Sequence, residues 1–267
     1  EHAVVSAAAG AGVKTPRARF LGRGLVREGA FAYFLDWIEG ETIGRRVTTL
    51  PKLGAARALL PAQLAVEAAK IHTITPRTNP DLFGEARDAL DKEDPVESTL
   101  KLLRGMLDRL GEPRPALELA MRWLDENRPP PSEVVLAHGD FRTGNFMVRD
   151  DGLAAVLDWE FARFSAPEED LAWISVRDWR FNQLALPIGG FARREPFYEA
   201  YEKASGRTLS RAAIHFWEVL GNARWAAGSL HQGERYLAGD QDVELIAIAR
   251  RAVEMEWEAL RLIEKGA

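Results

Sequence analysis

The chain contains no cysteine, which excludes disulfides, thiolate-bound zinc and a cysteine nucleophile. Long apolar runs are missing too, since none approaches the roughly 18 residues needed to span a bilayer. There is no basic excess either. Lys and Arg number 35 against 40 Asp and Glu, whereas a general nucleic-acid binder normally presents a basic face. The opening residues, Glu1-His2-Ala3-Val4-Val5, lack the charged start and apolar stretch of a secretory leader. No nucleic-acid partner, no membrane association and residence in the cytoplasm are therefore the expectations. What is present is ordinary for a folded protein. Apolar residues make up 46% and charged residues 28% of 267 positions, enough to bury a core in one large domain or two small ones.

Glu1 to Ala9 is alanine-rich and reads as a helix with no capping residue before it, ended by Gly10 and Gly12. An uncapped start predicts further sequence upstream. Leu21–Val26 and Phe31–Trp37 read as strands around a Glu28-Gly29 turn. Helices are expected near 61–72, 84–91, 95–110 and 115–127, closed by Pro129-Pro130-Pro131. Apolar runs Val134–Ala137, Phe146–Val148 and Leu153–Leu157 follow, the last two joined by an Asp151-Gly152 hairpin signal. Helices near 168–179, 194–204, 210–232 and 240–265 complete the chain. The pattern is α+β, a small β-containing piece packed on a larger helical one.

The stretch that carries chemistry is His138-Gly139-Asp140-Phe141-Arg142-Thr143-Gly144-Asn145, set between strand-like runs. A hairpin over 146–158 folds back and returns Asp158 to the neighbourhood of Asn145. Phosphoryl transfer needs a carboxylate to accept the proton of the attacking hydroxyl and hard oxygen donors to hold Mg²⁺ on the phosphate chain. Asp140 can be that base, and Asn145 and Asp158 the metal ligands. The Asp-to-Asn spacing matches the H-R-D-x-x-x-x-N loop of protein kinases. Composition alone would produce His-Gly-Asp-x-x-x-x-Asn roughly 4 × 10⁻⁴ times per chain, too rarely to dismiss as a turn made of turn-forming residues.

LAHGDFRTGN followed by VLDWE resembles the aminoglycoside phosphotransferase and choline kinase family of small-molecule kinases, in particular the branch related to acyl-CoA-dehydrogenase-associated kinase domains. FAYFLDWIEGETI is similar to that family's hinge strand and interlobe linker. AAKIHTI resembles the helix end before the catalytic region, and PEEDLAW the segment after the metal aspartate. The likeness covers most of residues 1–180. It implies a protein-kinase-like two-lobe fold, with an incomplete N-lobe over 1–38 and a mainly helical C-lobe carrying the catalytic hairpin over 39–267. It implies Mg²⁺-dependent transfer of the γ-phosphate of ATP or GTP to a hydroxyl of a small molecule. Asp140 would be the base, Asn145 and Asp158 the Mg²⁺ ligands, His138 a buttress of the loop and Asp170 its brace. Asp36, Trp37 and Ile38 would form the hinge that reads the purine edge. Glu1 would be the helix glutamate that pairs with a phosphate-binding lysine; Lys14 follows the helix and cannot be that lysine, so the lysine is expected upstream. Glu160 would stand near the metal.

Outside the resemblance, Arg142 lies beside the base and can neutralise phosphate charge. Trp173, Trp179, Trp217 and Trp225 are expected to pack helices or to line an acceptor pocket. Arg177 and Arg180, one helical turn apart, could face an anionic acceptor. With Arg193, Arg194, Arg207 and Arg211 they lean towards a neutral or anionic hydroxyl compound. His72, His215 and His231 lack metal-ligand spacing and read as structural. Two other classes stay open: a pseudokinase or nucleotide-binding module without turnover, and a metal-dependent phosphohydrolase with water as nucleophile. Oligomeric state is not legible.

Overall fold

A computed structural model describes residues 1–84 and 94–266. The helix expected at 84–91 lies outside the described residues apart from Gly84. The chain begins with α1 (His2–Gly10), followed by strands β1 (Ala18–Arg23) and β2 (Phe31–Leu35), an antiparallel pair. β1 starts earlier than the apolar run Leu21–Val26 suggests. Its register is set by partner strand β2, with Arg23 opposite Phe31, so Gly24 to Ala30 become the turn. β2 stops at Leu35, short of the expected Trp37. The hairpin leaves Phe20, Leu21, Phe31 and Phe34 exposed.

A short helix α2 (Gly44–Thr49) and a 3₁₀ turn lead into α3 (Gly54–Ile71). α3 begins a full seven residues before Pro61, which had marked the expected start. The helix tolerates the lost backbone bond at Pro61 because Ala56, Leu60, Leu64, Ala65 and Ala68 bury one face of it completely. α4 (Pro95–Arg109), N-capped by Asp94, and α5 (Pro115–Glu126) follow, each opening on proline at its first turn. Next come β3 (Val135–Ala137), β4 (Phe146–Arg149), β5 (Gly152–Val156) and β6 (Arg163–Ser165). β4 and β5 form the expected hairpin, and Gly152 supplies the positive φ (113°) that its turn requires. β6, too short and mixed to stand out in the sequence, pairs with β3.

The rest is helical: α6 (Pro167–Trp173), a 3₁₀ turn at Arg177–Arg180, α7 (Arg194–Ser205), α8 (Arg211–Leu237), α9 (Val243–Ala249) and α10 (Ala252–Lys265). Thus the expected helices at 168–179 and 240–265 are each broken in two. α3 packs on α7, while α8 forms the axis against which α6, α9 and α10 lie. Two stitches bring the early chain onto the hairpin. Glu41 exchanges both backbone hydrogen bonds with Val148 (2.8 and 3.0 Å), and Val156 donates to the Lys14 carbonyl at 2.7 Å.

Of the arginines between 176 and 211, all but Arg193 are taken up in ion pairs within this body. Arg180 is buried and bonds Glu218 (3.1 Å) and Glu258 (3.0 Å); Arg177 pairs with Glu254 and Glu258. Arg194 shares Glu218, Arg207 reaches Glu133, and Arg211 reaches Glu195 and Glu202. The leaning towards an anionic acceptor therefore loses the support of all of these but Arg193. Isolated spacing could not reveal partners on distant helices. Removing the carboxylate of Glu218, which serves two guanidinium groups, leaves Arg180 buried beside an unfilled site. Glu218→Ala is expected to cost about 3–5 kcal/mol of stability, read as a lower urea midpoint.

Candidate active site

The loop 138–145 joins β3 to β4 and is shaped by its glycines. Gly139 has φ 78°, and a Cβ there would stand 2.2 Å from the Phe161 carbonyl oxygen, so a side chain cannot be accommodated. Phe141 and Phe146 are buried edge to face at 4.8 Å and anchor the loop in the core. Thr143 Oγ1 donates to the Gly189 carbonyl at 2.8 Å.

Asp170, on α6, is fully buried. Its Oδ2 accepts the His138 backbone N–H at 2.7 Å and its Oδ1 that of Gly139 at 3.0 Å. His72 Nε2 lies 3.3 Å from the same Oδ2, and His72 Nδ1 is 2.8 Å from the Tyr201 hydroxyl. Burial works against ionisation of Asp170, but the hydrogen bonds from His72 and from the His138 backbone outweigh it and hold the carboxyl below its ordinary value.

His138 is itself buried. Its Nδ1 accepts the Asp140 N–H (3.3 Å) and its Nε2 donates to the Leu157 carbonyl (2.9 Å), which assigns the neutral tautomer. The imidazole thereby ties the loop to the end of β5. Leu157 N–H donates to the Asn145 carbonyl at 2.8 Å, so the residue before Asp158 is bound to both His138 and Asn145.

Asp140 is 7% exposed and receives three side-chain donors. Asn145 Nδ2 donates to Oδ2 at 2.6 Å, Trp173 Nε1 to Oδ1 at 2.7 Å, and Arg142 Nε to both oxygens at 2.9 and 3.0 Å. The Arg142 guanidinium stacks on Trp179, 4.4 Å from the ring centre. Because Asn145 spends its amide nitrogen on Asp140, its carbonyl oxygen is left as the free end of the side chain.

Asp158 is exposed, has a left-handed backbone (φ 65°) and makes no side-chain hydrogen bond or ion pair among the described residues. A non-glycine residue in that conformation stores strain of order 1 kcal/mol, tolerated here by an aspartate at a hairpin end. Partial burial, then the nearby Asp140 charge, raises the Asp158 pKa above its ordinary value. Glu160, exposed, is raised by partial burial and by the charges of Asp158, Glu1 and Asp140. Tyr33 is pushed up by burial and by a hydrogen bond with Glu1. Glu1 thus belongs to the same acidic surroundings as Asp158.

The structure therefore brings together Asp140, Arg142, Asn145, His138 and Asp170 by direct bonds, with Asp158 one residue from the shared Leu157 contact. The segment Asp36-Trp37-Ile38 stands apart at the end of β2. Asp36 is exposed and paired with Arg19 through two bonds of 3.0 Å, and Trp37 is 89% exposed. Lys14 turns its ammonium to the Leu153 carbonyl. Among the described residues no set of three His, Asp or Glu side chains could hold a metal. The side-chain carbonyl oxygen of Asn145 and the Asp158 carboxylate, which has no partner among the described residues, are nonetheless hard oxygen donors suited to Mg²⁺. Reasoning from sequence missed Trp173 and His72 as members of the site. Trp173 stands one helical turn beyond Asp170, on the same face of α6, and that spacing was the signal available.

These features, a helical body under a hairpin and a loop with one shielded and one open carboxylate, are those of the protein-kinase-like fold. A profile of the phosphotransferase enzyme family matches residues 1–213, and the chain belongs to that family. The solved structures similar to it include a candidate aminoglycoside phosphotransferase from Ralstonia eutropha, with TM-score 0.78 and 19% identity over 100% of this chain and 83% of that one. A choline/ethanolamine kinase family protein from Mesorhizobium loti matches with TM-score 0.67 and 18% identity, over 99% and 78% of the two chains. The GDP complex of aminoglycoside 2'-phosphotransferase-IIIa matches with TM-score 0.63 and 14% identity, over 96% and 79%. Acyl-CoA dehydrogenase family member 11 of Mus musculus is 42% identical over 65 residues, 23% of this chain. The Pongo abelii protein of the same name is 29% identical over 143 residues, 49% of the chain. The chain spans only 8% and 18% of the length of these two relatives.

The His138 tautomer has a consequence for pH. Burial holds this imidazole below its ordinary value, so it stays neutral in the folded protein. In the unfolded chain it takes up a proton below about pH 6.5. The unfolded state then binds more protons, and stability falls as pH drops below that point. His215, lowered mainly by burial, acts with the same sign. Urea midpoints measured between pH 7.5 and 5.5 should decline, and His138→Gln should flatten the decline; an unchanged slope would contradict the assignment.

Proposed function

We propose that the protein transfers the γ-phosphoryl group of ATP or GTP to a hydroxyl of a small molecule, with Mg²⁺ as cofactor. The observation that carries this reading is the division of labour between two carboxylates. Asp140 is held by three donors at the mouth of a glycine-shaped loop, whereas Asp158 has no partner among the described residues. Mg²⁺ bound by the Asn145 carbonyl and the Asp158 carboxylate would draw the triphosphate into the cleft and neutralise its charge.

Asp140 then accepts the proton of the acceptor hydroxyl as its oxygen bonds to the γ-phosphorus. The bond from that phosphorus to the bridging oxygen breaks, and its electron pair leaves with the nucleoside diphosphate. Arg142, fixed on Trp179, offers its remaining N–H groups to the transferring group. Asp170 and His138 keep the loop in register. In this reading residues 1–38 form the N-lobe side of the cleft and 39–267 the C-lobe. The backbone groups of Trp37 and Ile38, which have no backbone partner among the described residues, receive the purine edge. Glu1, with Tyr33, faces the phosphate side. Cytoplasmic residence goes with a nucleoside triphosphate as co-substrate.

For the acceptor, a cavity of about 660 Å³ is lined by Arg45, Arg177, Asp178, Phe181, Arg250 and Arg251, among others. Asp178 immediately precedes the Trp179 on which Arg142 stacks, and Phe181 follows it by two residues. Arg45 and Arg250 have no ion-pair partner among the described residues. Arg177 and Arg251 are neutralised by Glu254 and Asp178 of the same lining, so it is Arg45 and Arg250 that favour a neutral or anionic hydroxyl compound over a polycation.

Asp140→Asn should lower the rate of nucleotide turnover by about 10²–10⁴-fold while Mg²⁺–nucleotide affinity, measured by calorimetry, stays close to that of the parent. Asp158→Ala should weaken that affinity only when Mg²⁺ is present. Turnover undiminished in Asp140→Asn would sink the reading, and phosphate release that no hydroxyl compound stimulates would turn it towards hydrolysis.

A further inference from the structure

Two indole–guanidinium pairs flank the Asp140 carboxylate. One is Arg142 on Trp179. The other involves Trp173, which is 5% exposed and spends its single N–H on Asp140 Oδ1 at 2.7 Å. Over that indole, 4.1 Å from the ring centre, lies the guanidinium of Arg224. Arg224 comes from α8, beyond the stretch matched by the family profile. Its Nη2 lies 3.3 Å from the Gly139 carbonyl oxygen and its Nη1 2.8 Å from Glu169 Oε1. Glu169 is buried and is bonded in turn by Arg163 and Ser165 of β6.

We infer that Trp173 is a positioning residue for the Asp140 carboxylate, and that Arg224 fixes the plane of its indole. The inference rests on the reading of Asp140 as the base. A base must present a defined lone pair to the acceptor hydroxyl, and a carboxylate joined to the loop only through its own Cβ can turn about its last bond. Trp173 on one oxygen and Asn145 on the other oppose that rotation, because turning breaks both bonds at once. The indole suits this task because it is a donor with no charge of its own, so it directs the carboxylate without adding a second cation beside Arg142. The Arg224 guanidinium lies over the ring and bonds the backbone carbonyl of the residue before Asp140. The indole and the loop that it serves therefore move as one unit.

Trp173→Phe keeps an aromatic ring under Arg224 but removes the donor. It should lower kcat roughly 10- to 100-fold, the loss expected for one hydrogen bond to a charged group, with KM for nucleotide and acceptor within about twofold. Trp173→His, which retains a ring N–H, should recover part of the loss. Trp217→Phe, at a buried tryptophan of α8 that makes no hydrogen bond to the loop among the described residues, reports what removal of an indole costs by packing alone. A Trp173→Phe enzyme with undiminished kcat, beside an inactive Asp140→Asn, overturns the inference and leaves the base in place; undiminished activity in both overturns the reading of Asp140 as well.

A second measurement needs neither turnover nor a stable Trp173 variant. In ¹⁵N spectra of the full chain with its eight indoles labelled, Asp140→Ala should shift one indole N–H resonance upfield and speed its exchange with solvent. Eight unchanged indole signals would overturn the inference.

Discussion

The site depends on one buried carboxylate. Asp170 accepts the two backbone amides that open the loop, and His72 and Tyr201 complete its surroundings. A buried charge of this kind is costly unless its lone pairs are filled, and here the fillers are the main chain itself. The carboxylate therefore does two things at once. It satisfies N–H groups that the sharp turn at Gly139 withdraws from any strand, and it fixes that turn to α3, α6 and α7. Without it the two amides that open the loop lose their acceptor, and Asp140 is held only by the ties further along the loop.

From that fixed point the remaining geometry follows by short steps. His138 spans from the loop to Leu157, Leu157 bonds Asn145, and the next residue is Asp158. The side chain of Asn145 divides its functions between its two ends, nitrogen towards Asp140 and oxygen outward. The two aspartates thereby acquire opposite conditions on one small surface. Asp140 is enclosed by donors, whereas Asp158 is left open, strained at its backbone and raised in pKa by partial burial and by its neighbour's charge. Such separation of two like groups by environment is how a single site assigns them different work.

The helical body contributes more than support. α8 carries Arg224 to the Gly139 carbonyl and Glu218 to two arginines, so one helix both braces the loop and closes the ion pairs behind it. The arginine-rich stretch from 176 to 211 owes its composition mainly to those internal pairs. A residue count along the chain sees the charge but not its partner.

The sequence by itself determined the features that act over a few residues. The spacing of Asp140 and Asn145, the hairpin that returns Asp158 and the glycine turn at Asp151-Gly152 are consequences of local stereochemistry, and each was legible. Element boundaries were less so. α3 runs through Pro61, and β6 exists only because β3 lies beside it, since burial and pairing outweigh local preference. Only the tertiary structure decided which donors reach Asp140 and which acids take the arginines. Trp173 is 33 residues from Asp140, and Arg224 is 85 from Gly139. Contacts at such separations are chosen by how helices pack, and no periodicity along the chain records that choice.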